Sequence, residues 1–149
     1  MPKGAKMIKT AAMLANYCCT FTAVIFIYLL IEYSQLSDQI KSGFTEGART
    51  RFVLLVVVCS AAHIFRSISA LYAQRKAFLP ENANRVIALS AVSLVLSVAW
   101  LVIVILQLTS SSWLVSVKNI EVIFLVMVIV DILSFSTVIF GAVRNKKQG

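Results

Sequence analysis

Residues 122–143 read VIFLVMVIVDILSFSTVIFGAV, an apolar run interrupted by one charge, Asp131. A helix needs about 20 such residues to cross the hydrocarbon core of a bilayer. A charge near the middle of that crossing costs a few kcal/mol even on lenient insertion scales, so it faces a partner or a cavity rather than lipid. This stretch therefore predicts both a membrane span and the inside of a bundle. The basic counterparts lie in residues 52–72, FVLLVVVCSAAHIFRSISALY, where His63 and Arg66 break a second apolar run.

Working outward, Thr10–Ile31, Phe52–Tyr72, Arg85–Leu108 and Asn119–Val143 are each long and apolar enough to span. Their apolar runs are continuous, not alternating at period two, which favours helices over a β-barrel. The expected fold class is all-α: a polytopic membrane protein with a four-transmembrane-helix bundle and short loops. Residues 1–149 form one domain, with helices over 10–31, 52–72, 85–108 and 119–143. The composition agrees, at 60% hydrophobic and 13% charged, against about 45–50% apolar in soluble domains. The first window begins on Lys3, Lys6 and Lys9 but is longer and bulkier than a cleavable signal sequence, so a retained anchor is expected.

The charge of +8 is unevenly distributed. Lys3, Lys6, Lys9, Arg75, Lys76, Arg85, Arg144, Lys146 and Lys147 fall on one side of the expected bundle, with Glu81 alone against them. On the other side Lys41, Arg49, Arg51 and Lys118 are balanced by Glu32, Asp38, Glu46 and Glu121. Basic residues in short loops stay in the cytosol, so both termini are expected there. The basic excess is then a topology signal, with anionic headgroups as its natural contacts. No basic patch is interleaved with aromatic residues on a soluble surface, so nucleic acid is not an expected partner. Lys146 and Lys147 resemble the dilysine retrieval signal of endoplasmic-reticulum membrane proteins, although lysine-rich cytosolic tails arise for topological reasons alone. The endoplasmic reticulum or early secretory pathway is one expected location, among other cellular membranes.

Each span carries a small or polar stripe: Ala11, Ala15, Cys18 and Thr22 on the first, and Ser90, Ser93 and Ser97 on the third. The second offers two adjoining faces, Ser60, His63, Ser67 and Ala70 beside Cys59, Ala62, Arg66, Ser69 and Ala73. The fourth carries Asp131, Ser134, Thr137 and Gly141. Small faces let helices approach closely where lipid supplies no hydrophobic driving force, so a packed bundle is expected. At about 1.5 Å per residue, His63 and Asp131 lie at the same depth, and Arg66 about 4–5 Å nearer the basic side. Asp131 can meet His63, or Arg66 if the guanidinium reaches upward. Arg66 can instead snorkel to the basic headgroup region. Two roles fit the His63, Arg66 and Asp131 cluster: a structural clasp between helices, or part of a proton or ion path. The prolines, Pro2 and Pro80, lie outside the spans, so no broken transporter-type helix is signalled.

Cys18, Cys19 and Cys59 fall inside the spans, which predicts packing residues and no disulfide framework; palmitoylation of Cys18 or Cys19 is the sharper alternative. Leu36 and Ile40 mark Tyr33–Ser42 as a short interfacial helix, Trp113 reads as an interfacial anchor, and Phe78–Glu81 reads as a turn. No thiol-redox pair, nucleophile elbow, zinc-protease motif or phosphate loop is present, and the single histidine excludes a multi-histidine centre within one chain. The chain is expected not to be an enzyme and to hold no cofactor or metal.

The short, cysteine-free first loop differs from claudins and tetraspanins. In length, helix count and cytosolic termini the chain resembles MARVEL-type tetraspans, a likeness of topology over the whole chain that rests on no motif. The expected partners are the lipid bilayer and other membrane subunits or a second copy. The expected function is that of a non-enzymatic scaffold, trafficking factor or accessory subunit, with a small proton- or ion-coupled channel or transporter as the alternative.

Overall fold

The computed structural model describes residues 3–35, 46–76, 79–109 and 118–148. Among them are four long helices: α1 (Lys3–Gln35), α2 (Glu46–Lys76), α3 (Ala83–Thr109) and α4 (Lys118–Gln148). A 3-10 turn, Pro80–Asn82, leads into α3. Three stretches, Gly4–Tyr28, Pro80–Leu106 and Val122–Lys147, are long and apolar enough to cross a membrane.

Every helix contains its expected span and runs beyond it at both ends. The reason is local: a helix satisfies its own backbone hydrogen bonds, so it is not bound to stop where the apolar run stops. Pro80 sits at the start of a helical turn, where its missing N–H leaves no bond unmade. Tyr33, Ser34 and Gln35 continue α1, while the rest of the expected interfacial helix, together with Trp113 and Phe78, lies outside the described residues.

Packing joins α1 to α2, α2 to α3, α3 to α4 and α4 back to α1. Neighbours run antiparallel. Ser67 of α2 donates to Asn16 of α1 at 2.7 Å, Tyr72 of α2 reaches Asn82 beside α3 at 3.3 Å, and Ile8 of α1 lies against Gly141 of α4. Both helix ends near the termini and the α2–α3 turn therefore share one end of the bundle, and the basic residues gather there.

The interior is layered along its axis. At the basic end Ile8, Ala12, Ala73, Val86, Val138 and Ala142 form an apolar cluster. Next come Ala15, Cys19, Ala70 and Phe135. At the far end are Phe26, Cys59, Trp100, Val104, Phe124 and Val128. Polar residues are buried between these layers, among them Thr22, Arg66, Ser69, Ser93, Ser97 and Asp131. Large apolar side chains such as Tyr17, Ile68, Val95, Leu133 and Phe140 are exposed. A soluble bundle has the opposite arrangement; this one suits lipid outside and polar contacts within.

The buried seam matches the expected stripe on α3; on α4 Asp131, Ser134 and Gly141 are buried but Thr137 is half-buried, and on α1 two of the four expected positions are replaced by their neighbours. Ala12, Ala15, Cys19 and Thr22 are buried, while Ala11 and Cys18 are only half-buried. On α2 the seam runs between the two candidate faces, through Cys59, His63, Arg66, Ser69, Ala70 and Ala73.

A close approach joins α1 and α4 at Gly141. A methyl group added at Gly141 would overlap Ile8 Cγ1 and come within 2.6 Å of Ile8 Cδ1. Overpacking of this kind typically costs about 1–3 kcal/mol. Gly141→Ala is therefore expected to lower thermal stability in detergent. Ile8→Ala in the same chain should recover part of that loss, because the two changes share one contact. Simple additivity of the two losses would show that this contact does not limit the packing.

Candidate functional site

The site is built from one or more groups on each helix. Cys19 comes from α1, His63 and Arg66 from α2, Ser97 from α3 and Asp131 from α4, and all are buried. His63 and Arg66 are three residues apart, one helical turn, so both side chains enter the bundle from the same face. Ser97 lies seven residues beyond Ser90 on α3, which brings it back to the face carrying Ser90 and Ser93.

Arg66 stays inside the bundle and does not snorkel; its relative exposure is 1%. Its Nη1 donates to Asp131 Oδ2 at 3.3 Å and to Ser97 Oγ at 2.8 Å. Its Nη2 donates to His63 Nδ1. Arginine has donors and no acceptor, so Nδ1 accepts and the imidazole carries its proton on Nε2. Ser97 in turn donates to the Ser93 carbonyl at 2.9 Å, and Cys19 Sγ donates weakly to Asp131 Oδ2 at 3.6 Å. Arg66 thus joins α2 to α3 and α4, and Cys19 adds α1.

The structure brings His63, Arg66 and Asp131 together and assigns the carboxylate to Arg66, with His63 on the far side of the guanidinium. The pair is not bidentate, since Asp131 uses only Oδ2. Asp131 Oδ1, Arg66 Nε, His63 Nε2, Ser90 Oγ and Ser93 Oγ have no hydrogen-bond partner among the described residues. Lys146 and Lys147 lie in the last turn of α4, exposed and about 22 Å along the helix from Asp131.

An aromatic tier adjoins the ion pair. Each helix contributes one ring: Phe26, His63, Trp100 and Phe124. His63 stacks on Phe26 at 5.2 Å between ring centroids and meets Trp100 edge-on at 4.9 Å. Phe124 stacks on Phe26 at 5.6 Å and meets Trp100 edge-on at 5.7 Å. These separations are those of favourable aromatic pairs. The rings fill the bundle between the ion pair and the end opposite the basic one.

Sequence reasoning missed this tier. One signal was available: Trp100 lies mid-span, whereas tryptophan in a membrane helix favours the interface. A second polar contact was also missed. Ser67 donates its only hydroxyl proton to Asn16, so in the 2.9 Å contact with Thr20 the threonine is the donor. Asn16, Thr20 and Ser67 thereby join α1 to α2.

Among the described residues no group of three or more histidine, cysteine or acidic side chains could hold a metal ion. Cys19 and Cys59 are buried and Cys18 half-buried, all three as free thiols. No family model matches the chain, and no curated protein or solved structure is similar to it.

Breaking a buried ion pair from one side typically costs about 3–5 kcal/mol, whereas replacing both partners with apolar residues is often neutral. Asp131→Leu strands a guanidinium that cannot shed its charge. It is expected to destabilise the bundle by an amount in that range in detergent unfolding. Arg66→Met/Asp131→Leu should recover most of the loss. A double variant as unstable as the sum of its parts would mean that the two charges are held by other groups.

Proposed function

We propose that this chain is a non-enzymatic integral membrane tetraspan. It acts through helix–helix packing as a scaffold, trafficking factor or accessory subunit of a membrane complex. In this reading α2 is the fourth span. It is 31 residues long, packs between α1 and α3, and exposes Leu54, Val57, Val58, Ile64, Ile68 and Leu71. Both termini and the α2–α3 turn face the cytosol, because the end they share carries the basic excess. Lys146 and Lys147 serve there as a retrieval-like signal for the endoplasmic reticulum. Changing both to serine is expected to move a tagged chain to later compartments; an unchanged distribution would remove the signal from the reading.

The observation that supports the packing role is the use made of the intramembrane charges. Arg66 and Asp131 are matched within one chain and buried beneath an aromatic tier, so they act as a clasp between helices. The surface left for work is the apolar exterior, which suits contact with other membrane helices.

A second reading, a small proton- or ion-coupled channel or transporter, has one observation in its favour. Ser90 and Ser93, buried and with hydroxyls that have no partner among the described residues, lie on the α3 face that leads from the basic end to Asp131, whose Oδ1 likewise has none among them. The aromatic tier opposes it, by occupying the continuation of that path.

One pair of measurements separates the two. Purification in mild detergent is expected to recover a stoichiometric membrane subunit or a second copy of the chain. Replacement of exposed Tyr17 and Leu133 by alanine should weaken that association while leaving the fold intact. A partner-free monomer would overturn the proposal. In proteoliposomes the packing reading predicts no pH-dependent flux. Flux that disappears in Asp131→Asn would instead establish the second reading.

A further inference from the structure

The exterior of the bundle is indented between α1 and α4. Toward the basic end these helices leave a groove of about 630 Å³, walled by Lys6, Thr10 and Ala11 of α1 and by Leu133, Ser134 and Thr137 of α4. Its walls combine small side chains, Ala11, Ser134 and Thr137, with the larger Leu14 and Leu133. Its two threonine hydroxyls are already satisfied within their own helices. Thr10 donates to the Lys6 carbonyl at 3.0 Å and Thr137 to the Leu133 carbonyl at 2.8 Å. The groove wall is therefore mostly apolar, with one cation at one end.

That cation lies at the basic end of the bundle. Lys6 is near the start of the apolar stretch Gly4–Tyr28, is exposed, and has no ion-pair partner among the described residues. Lys9 and Arg144 are exposed at the same end of the bundle. Leu14, at the inner end of the groove, lies about 12 Å further along α1. This span fits within one leaflet, about 15 Å of hydrocarbon.

We propose that the groove is a binding site for one anionic phospholipid of the surrounding bilayer. Its acyl chain lies between α1 and α4, and its headgroup rests on Lys6. Charge complementarity selects the headgroup: an unpaired lysine flanked by further basic residues disfavours no anion and gains from a net negative one. The proposal rests on the membrane placement of α1 and α4, not on what the bundle assembles with, so loss of the packing reading leaves it standing.

The test is native mass spectrometry of the full chain released from nanodiscs of equal phosphatidylglycerol and phosphatidylcholine. The expected result is one retained phosphatidylglycerol per chain. Lys6→Gln, an exposed change that leaves the core untouched, should reduce the preference for phosphatidylglycerol about fivefold, the usual effect of one basic residue at an anionic surface. Thr137→Leu, which fills the groove, should lower retention of both lipids. The proposal is overturned if no lipid is retained, if wild type shows no headgroup preference, or if Lys6→Gln leaves the preference unchanged. It is also overturned if a second copy of the chain occupies the groove, read as a dimer mass that Thr137→Leu abolishes.

Discussion

A guanidinium keeps its charge wherever it is buried, and in an apolar bundle it must be matched by groups brought to it from other helices. Arg66 is that group here. Its two Nη groups are met by His63 on its own helix, Ser97 on α3 and Asp131 on α4. The contacts to Ser97 and Asp131 set the depths of α3 and α4 relative to α2. Cys19 on Asp131 brings α1 to the same level. Between lipid-facing helices, where apolar surface gains little by leaving lipid, such contacts decide register.

The layers on either side follow from that constraint. Toward the basic end the helices approach through alanine, cysteine and glycine, and Gly141 admits Ile8 to within van der Waals contact of the α4 backbone. On the other side four rings, one from each helix, stack and tilt against one another. Close packing and an aromatic tier both exclude solvent, which strengthens the ion pair they enclose by lowering the local dielectric. Polar side chains turned inward leave an exterior of large aliphatic and aromatic groups, broken where Ala11, Ser134 and Thr137 line the α1–α4 groove.

Much of this was legible because membranes impose a coarse rule on sequence. Apolar runs of spanning length located all four helices, and an intramembrane charge pointed inward. The serine stripe on α3 was correctly oriented, as were Asp131, Ser134 and Gly141 on α4, whereas Thr137 turned toward the outer groove. The α1 stripe was misjudged by one residue at two of its four positions, since Ala11 and Ala12 differ in position but not in chemistry, as do Cys18 and Cys19. Only the neighbouring helices choose between them. The aromatic tier escaped for a related reason: Phe26 and Phe124 look like any lipid-facing phenylalanine until the helices that carry them are set side by side.

The amino-acid sequence by itself determined the all-helical class, the placing of the long helices, the end where positive charge accumulates and the three ionisable residues that must be inside. Those are properties of single segments, set by apolar length and by the cost of an unmatched charge. The partner of Asp131 was decided only by the tertiary structure. His63 and Arg66 lie on one turn of α2, and both were within reach on the sequence. Their order across the bundle depends on the rotation of α2 against α3 and α4, which is fixed by Ser97 meeting the guanidinium and by Trp100 meeting the imidazole. The packing of α1 against α4 likewise leaves the groove beside Lys6, a feature shared between two helices and written in neither.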